Sequence, residues 1–397
     1  MGRRMILSFC VLCALFAAGY GVMFTLLDDF RDRYGISDAS LGGVVAVGFF
    51  ASFAAQVLFA PLADRGHARR LVYVGMALNI IGVLAMGFGR DVLVLGGGRM
   101  VMGLGAGMAL PAIRRIVILA DPAHLGHNVG LLLAADVTGF ALGPAISAVL
   151  VGPFGLAAPF LVIVAATVAC LPLIGRVRVG ERDDAAGAVE PARFAFDLLR
   201  VRPYVGALCF GAAAFVMIGT FDSLWVLVLD DLHTADWIAN LGITLFALPL
   251  IVLGSPGGRL SQRHGPFKVG TIGLLLGATF MLLYGQLPSG AAMFAAAMIH
   301  SLSDGLTVSA SGVAVGLVAP AARQAGAQGL LGGTQTLVGG MCALLAGQLY
   351  GHFGRGWAYT VCAALMVTLV VVGRRFARGA ALGTPHPSPA PADLVPS

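Results

Sequence analysis

The chain has few charged residues, and this scarcity indicates its class. Charged side chains make up 11% of its 397 residues and hydrophobic side chains 58%, against roughly 25% and about 45–50% in soluble domains. The core of a soluble protein of this length cannot hide so much apolar surface, whereas a bilayer tolerates apolar side chains that face lipid. The composition therefore predicts an integral membrane protein.

Further absences exclude several functions. The six cysteines lie in apolar stretches without the spacing of a metal or redox site, so neither a disulfide framework nor a bound metal is expected. All but one of the 25 basic residues are arginines, which we interpret as a compositional bias rather than a nucleic-acid patch. The chain lacks a phosphate-binding Gly-Lys-Ser/Thr loop, a nucleophile elbow and a zinc-binding helix. It therefore predicts no enzyme, no ATP-driven machine and no cofactor.

Apolar stretches of membrane-spanning length recur along the chain. A spanning helix needs about 20 mostly apolar residues. Windows of that length predict twelve spans, at residues 5–27, 41–62, 71–89, 92–113, 129–151, 156–174, 205–229, 238–253, 269–287, 290–318, 330–350 and 357–372. Backbone groups in lipid must pair within the structure, and uniform stretches of this length favour helices over barrel strands. The predicted fold is all-α, with twelve transmembrane helices.

Two short basic segments, residues 60–70 and 258–268, align with each other half a chain apart. The matching pairs are Leu62 with Leu260, Arg65 with Arg263 and Arg70 with Lys268. In a membrane protein such a repeat is typical of a transporter with two halves. We predict pseudo-symmetric six-helix halves at 1–175 and 204–375, a cytoplasmic linker at 176–203 and a disordered cytoplasmic tail at 376–397.

Basic residues in the loops predict the orientation. With the N terminus inside, most of the 25 basic residues lie in the inner loops, and four lie in the outer loops: Arg31, Arg33, Arg90 and Arg355. Both termini are therefore predicted to be cytoplasmic, and the protein is expected in the cytoplasmic membrane of a bacterium.

The repeated segment resembles the loop motif of the major facilitator superfamily, Gly-x-Leu-Ala-Asp-Arg-x-Gly-Arg-Arg. In that family the acid and the basic cluster form a charge network that latches the outward-facing state. The resemblance implies a conformational latch made by Asp64, Arg65, Arg69, Arg70, Gln262 and Arg263. Ala60 and His67 replace the two motif glycines in the first copy, and Gln262 replaces the acid in the second. The two latches are thus expected to be unequal, and a solvated charge run is the alternative interpretation.

The fourth span resembles the Arg-x-x-x-Gly-x-Gly-x-Gly motif of the same family. Its Arg99, Gly103 and Gly107 share one helical face. An arginine inside the hydrocarbon is costly and should face a partner or a cavity. Arg99 is interpreted as tuning the protonation of a nearby carboxylate, and a structural ion pair or snorkelling to the outer surface is the alternative.

The fifth span contains Gly139, Gly143 and Pro144, which resemble the Gly-x-x-x-Gly-Pro motif of the proton-coupled drug antiporters. Small residues at this spacing let helices approach closely, and proline bends the helix. The family's further glycine pair is replaced by Ser147 and Ala148. The resemblance therefore implies an antiporter through an incomplete motif.

Intramembrane polar residues are the remaining site candidates. With Arg99, the predicted proton-coupling and substrate cavity comprises Asp136, Asp222, His300, Asp304, Thr307 and Gln335. The alternative for Asp136 and for the His300–Asp304 pair is a structural hydrogen bond. For Asp222 and the neighbouring Trp225, it is a place in the interfacial aromatic belt.

These features predict a secondary transporter that works by alternating access, as a monomer, on a small organic molecule. Proton-driven export is favoured, with protons and the lipid bilayer as the other partners. A proton-coupled importer or facilitator of a sugar or other metabolite is the main alternative. Outside the transporters, the alternative is a membrane sensor or assembly factor that transports nothing.

Overall fold

The computed structural model describes residues 3–175 and 193–379, and its regular elements in these ranges are helical, with no β-strand. In chain order the α-helices are α1 (Arg3–Thr25), α2 (Leu27–Tyr34), α3 (Asp38–Leu58), α4 (Ala60–Leu62), α5 (Ala68–Phe88), α6 (Val92–Ala120), α7 (Leu125–Phe154), α8 (Ala158–Gly175), α9 (Arg202–Asp231), α10 (Asp236–His264), α11 (Pro266–Tyr284), α12 (Gly290–Thr307), α13 (Ala310–Val318), α14 (Gln324–Phe353) and α15 (Arg355–Phe376). Most of the predicted linker, 176–192, and most of the predicted tail, 380–397, lie outside the described residues.

Several of these helices can cross a membrane. Nine stretches of the described residues are long and apolar enough to do so. One of them, Ser40–Phe88, contains both α3 and α5, and Ala158–Pro172 in α8 is a shorter apolar helix. The chain is therefore a multi-pass, all-α membrane protein, and the count of twelve spans stays a prediction.

The helices differ from the predicted spans at their ends. α6 continues to Ala120 and α10 to His264, beyond the predicted ends at 113 and 253. Polar side chains lower the hydropathy there without preventing the backbone hydrogen bonds that continue a helix. The tenth predicted span is divided into α12 and α13 between Thr307 and Ala310.

Several helices begin at a side-chain cap of their own. Asp91 accepts hydrogen bonds from the backbone N–H groups of Leu93 and Val94 at the start of α6, at 2.9 and 3.0 Å. Ser37 and Ser289 cap α3 and α12 in the same way. Such caps satisfy N–H groups that the first helical turn leaves unpaired. The residues that precede α7 and α14 make no side-chain cap.

Apolar side chains pack within each half of the chain. The second half buries a large aromatic cluster that includes Tyr204, Trp225, Tyr284 and Tyr359. The first half is built around two clusters, one on α1 with α5 and α6 and one that includes Phe30 and Phe160. Many large apolar side chains elsewhere are exposed, as expected for a surface that faces lipid.

α1 and α7 cross at glycines. A Cβ atom on Gly139 would lie 1.9 Å from the carbonyl oxygen of Ala14, and one on Gly143 would lie 2.3 Å from the backbone of Gly21. Pro144 lies inside α7 beside this crossing. The two backbones thus approach more closely than any side chain would allow.

α6 crosses α3 in the same way. A Cβ atom on Gly103 would lie 2.2 Å from the carbonyl oxygen of Gly48, and one on Gly107 would lie 2.6 Å from the Cβ of Ala55. The crossing brings the middle of α6, where Arg99 lies, against α3.

Candidate functional site

Asp64 caps a helix of the other half. It lies in the turn Ala63–His67, where Gly66 has a φ of 87°. Its Oδ1 accepts from the backbone N–H of Ala325 at 2.9 Å, and its Oδ2 accepts from that of Gly326 at 2.8 Å. These donors belong to the first turn of α14, where the helix dipole favours a negative charge.

Arg115 completes this cap. Its Nε donates to Asp64 Oδ1 at 2.9 Å, and the Asp64 side chain is fully buried. Three donors from two different helices therefore hold one carboxylate in a place that water does not reach. Breaking such a buried pair is strongly unfavourable.

The three arginines predicted to partner Asp64 lie on the solvent side of the turn. Arg69 and Arg70 are exposed and Arg65 is half-buried. The Arg69 guanidinium lies 5.8 Å from the centre of the Tyr73 ring. The guanidinium that hydrogen-bonds Asp64 is thus supplied by α6, from Arg115.

Gln262 makes the equivalent contact in the second copy of the repeat. Its Oε1 accepts from the backbone N–H of Gly126 at 2.6 Å, and its Nε2 donates to the carbonyl oxygen of Ala123 at 3.0 Å. α10 of the second half thus caps α7 of the first half. Arg263 beside it is exposed. The two caps are related by the repeat, but one is a carboxylate and the other a neutral amide.

Close contacts between α7 and α10 join the halves beside the Gln262 cap. A Cβ atom on Gly258 of α10 would lie 1.8 Å from the carbonyl oxygen of Gly126. The His127 ring and the Ser255 hydroxyl form a hydrogen bond between α7 and α10. In the described residues, the end of the bundle that carries both caps is therefore closed between the halves. We call it the capped end.

A cavity of about 180 Å³ lies between the crossing helices of the first half and α14. Its lining includes Phe16, Tyr20, Phe49, Asn79, Arg99, Asp136 and Thr336. Of the residues predicted to form a cavity, Arg99 and Asp136 are thus brought together. Thr336 comes from α14, so both halves contribute to the walls.

Arg99 is buried in this cavity, with 6% of its surface exposed. Its guanidinium carbon lies 4.5 Å from the centre of the Tyr20 ring and 5.4 Å from that of Phe49. Its Nε has no hydrogen-bond partner. Among the described residues Arg99 forms no ion pair, so its stabilising contacts are with aromatic faces.

Asp136 has an arginine partner from α6. Nη2 of Arg114 lies 3.8 Å from Oδ2 of Asp136, and the two side chains are 23% and 24% exposed. A Cβ atom on Gly332 of α14 would lie 3.7 Å from Nη1 of Arg114. Arg114 therefore lies between the cavity carboxylate and a helix of the other half.

His300 and Asp304 lie inside the second half. Their Nε2 and Oδ1 atoms are 3.4 Å apart, and both side chains are buried. The His300 ring stacks on Phe280, and its Nδ1 is 3.0 Å from the Tyr284 hydroxyl. Asp304 lines a cavity of about 10 Å³, together with Thr307, which is space for one water at most. The structure thus places this predicted stripe apart from the Arg99 cavity.

The other predicted cavity residues, Asp222 and Gln335, line neither cavity, although Asp222 lies close enough to Tyr20 of the Arg99 cavity to act on it electrostatically. Asp222 on α9 has an exposed side chain. Trp225 is fully buried and packs on Phe221, so it is neither a stacking face for a substrate nor part of an aromatic belt. Gln335 lies beside Gly211 of α9, and the next residue on α14, Thr336, lines the cavity instead.

Several site residues were not predicted from the sequence. They are Tyr20, Asn79, Arg114, Arg115, Thr336 and Gln56, whose Nε2 donates to the Thr336 hydroxyl at 3.4 Å. Gln56 and Asn79 are polar residues in otherwise apolar helices, which is the usual mark of an intramembrane site. Across the described residues, no group of three His, Cys, Asp or Glu side chains is placed to hold a metal ion.

Comparison with known proteins agrees with this architecture. The chain superposes on the human organic anion transporter MFSD10 (TETRAN) with a TM-score of 0.76 and 16% identity, covering 94% of this chain and 99% of the other. It superposes on the proton:xylose symporter XylE with a TM-score of 0.77 and 14% identity, covering 94% and 95%. At these identities the likeness shows the fold alone.

Sequence comparison leads to the family. The bacillibactin exporter of Bacillus subtilis (strain 168) is 26% identical over 152 residues, a region that covers 38% of this chain and 38% of the exporter. The sequence profile of the Major Facilitator Superfamily matches residues 7–235 and 220–396. The chain therefore belongs to the Major Facilitator Superfamily of membrane transporters.

Proposed function

We propose that this transporter exports a small organic molecule across the cytoplasmic membrane of a bacterium, in exchange for protons, by alternating access. The observation that carries the proposal is the pair of repeat-related caps made by Asp64 and Gln262 between the halves. Each cap joins a residue of the repeated segment in one half to a helix N-terminus of the other. Because both caps lie at one end, their release would let the halves separate there, with loss of the apolar contacts that Ala325, Val129 and Val313 make between the halves.

The proposed cycle has two states. While the caps are made, the cavity that contains Arg99 and Asp136 is closed at the capped end, which the charge distribution predicts to be cytoplasmic. After the caps break, the halves rock, and the cavity opens to that side. In the family the equivalent charge network latches the outward-facing state, and we assign the same state to the capped structure.

Asp136 is the proposed proton carrier. It lines the cavity, and about a quarter of its side chain is exposed, so water can deliver a proton. Protonation would remove the charge that holds Arg114, which also lies beside Gly332 of α14. Loading a proton would therefore change a contact between the halves, as coupling requires.

Export is favoured over import by the incomplete antiporter motif in α7. The partial match to the bacillibactin exporter supports the same direction. The buried His300–Asp304 pair is a second candidate for proton binding.

The test is transport of several unrelated dyes into energised inverted membrane vesicles, with and without a proton uncoupler. Export in the cell corresponds to uptake into such vesicles, and we expect an uncoupler to abolish it. Substrate movement in the opposite direction would favour the importer. A protein that moves neither dyes nor protons after reconstitution would favour a sensor or assembly factor.

A further inference from the structure

We propose that the cavity around Arg99 binds the anionic group of an amphipathic organic anion. This inference rests on the proposed function and adds the chemical class of its substrate. In this inference Arg99 binds the substrate. The sequence instead suggested that Arg99 tunes the protonation of a nearby carboxylate.

Arg99 carries a buried charge that the protein does not neutralise. Only 6% of its surface is exposed, and its Nε lacks a hydrogen-bond partner. In the described parts of the chain it takes part in no ion pair. The Tyr20 and Phe49 rings stabilise the cation but bring no negative charge. A buried cation without a counter-charge is costly, and an anionic ligand would remove that cost.

A second unsatisfied donor lies in the same cavity. Asn79 is 2% exposed, and its Nδ2 is buried without a partner. Asn79 and Arg99 both line the cavity. An amide N–H and a guanidinium are together the donors that an acceptor-only group such as a carboxylate requires.

The other charges of the cavity do not cancel Arg99. Asp136 already has a partner, Arg114, at 3.8 Å. Arg99, Asp136 and Arg114 together carry one net positive charge while Asp136 is ionised. Asp222 of α9 acts electrostatically on Tyr20 of the cavity wall but makes no ion pair with Arg99 in the described residues.

The remaining surface fits an apolar body. Aromatic rings of Phe16, Tyr20 and Phe49 line the cavity. Phe49 and Thr336 also line an adjoining apolar groove of about 340 Å³ between α3 and α14. The groove side chains Phe50 and Met341 are 60% and 61% exposed. One ligand with its anionic group at Arg99 and its apolar part in this groove would occupy both spaces.

The test is direct binding of a homologous series of ω-phenylalkanoates, from phenylacetate to 8-phenyloctanoate. The protein is held in lipid nanodiscs, and empty nanodiscs correct for partition of the ligand into lipid. The affinities of the carboxylates are compared with those of the uncharged amides and the primary amines of the same chain lengths. We expect the best carboxylate to bind about 10- to 100-fold more tightly than its amide, the ratio that a hydrogen bond to a charged group supplies.

Variants assign the preference to Arg99. Arg99→Gln should reduce carboxylate affinity to that of the amide, and Arg99→Lys should keep part of the preference. Arg90→Gln is the matched control, because Arg90 lies in an exposed position just before the same helix. It should leave the ratio unchanged.

Three results would overturn the inference. They are equal binding of amide and carboxylate by the unmodified protein, no saturable binding of any carboxylate, and a full carboxylate preference in Arg99→Gln. The comparison on the unmodified protein needs no variant to fold. Binding is measured without a gradient, so the two proposals can fail separately. If the protein shows no anion preference but its transport is abolished by an uncoupler, this inference alone is rejected. If it prefers anions but its transport does not respond to an uncoupler, only the proposed coupling is rejected.

Discussion

Among single residues, two carboxylates with arginine partners differ in their access to water. The Asp64 side chain is fully buried and is held by Arg115 and two backbone N–H groups. Asp136 is 24% exposed, and its partner Arg114 lies 3.8 Å away. A buried carboxylate that accepts three hydrogen bonds is suited to holding helices together. One with a distant partner and a path to water is suited to exchanging protons.

Replacing Asp136 by asparagine should abolish uncoupler-sensitive transport in the vesicle assay. The amide keeps the size of the side chain but cannot take up and release a proton. The amount of protein in the membrane should not change. Asp32→Asn is the control, since Asp32 is an exposed residue that pairs with Arg31 at the surface, and full activity in Asp136→Asn would remove Asp136 from the mechanism.

Asp304→Asn should also abolish proton-coupled transport if the buried His300–Asp304 pair carries a proton. The same vesicles and dyes provide the measurement, with membrane insertion checked by immunoblot. Full activity of Asp304→Asn alongside an inactive Asp136→Asn would assign the proton to Asp136 and leave the pair a structural role.

Residue spacing alone could point to Asp64, Arg99 and Asp136, because each is a charge in or beside an apolar stretch. It could not identify the partners Arg114 and Arg115. An ion pair between helices depends on how far α6 extends and on how it rotates against its neighbours, and no local pattern sets either. The burial of Trp225 could not be predicted either, because it results from packing within the second half.

At the scale of helices, the two caps show how one repeat gives unequal contacts. Asp64 brings a charge to the N-terminus of α14 and binds Arg115, whereas Gln262 brings a neutral amide to α7. Charge-assisted hydrogen bonds are about twice as strong as neutral ones. The cap on α14 is therefore expected to be the stronger.

Asp64→Asn should lower the thermal unfolding temperature of the purified protein more than Gln262→Ala does. Loss of one partner of a buried ion pair costs about 3–5 kcal/mol, whereas loss of a neutral cap costs about 0.5–2 kcal/mol. Thermal unfolding in one detergent measures both. An equal or larger effect of Gln262→Ala would contradict the difference assigned to the caps.

Gly139→Ala should reduce the yield of folded protein. Its Cβ would lie 1.9 Å from the Ala14 carbonyl oxygen, which belongs to a rigid helix. Gly152→Ala on the same helix is the control, since a Cβ there meets nothing within 4 Å. Size-exclusion chromatography compares the two yields, and a normal profile for Gly139→Ala would contradict the tight crossing of α1 and α7.

Helix positions were largely predictable because apolar length is a local property. The helix ends that extend beyond the apolar stretch, as in α6 and α10, were not predictable, because hydropathy falls there while the helix continues. The interruption between α12 and α13 carries neither proline nor glycine at Val308 and Ser309. No local sequence feature therefore indicated it.

For the whole molecule, the repeat, the two caps and the family fold describe one arrangement. Each half has its own apolar core, and the caps join the halves at one end. We propose that such an assembly opens at the capped end by rigid rotation of the halves. Opening would break the cap hydrogen bonds, the glycine contacts between α7 and α10 and the apolar cluster between α7 and α13.

The most direct test of this account is a distance measurement across the capped end. Spin labels at Arg70→Cys and Lys268→Cys, two exposed and repeat-related positions in opposite halves, would be placed in a variant that lacks the native cysteines. Labels at Arg70→Cys and His124→Cys, both in the first half, serve as the control. We predict that combining Asp64→Asn with Gln262→Ala adds a population with a longer distance for the first pair and leaves the control unchanged. An unchanged distance for the first pair would contradict the claim that these caps hold the halves closed.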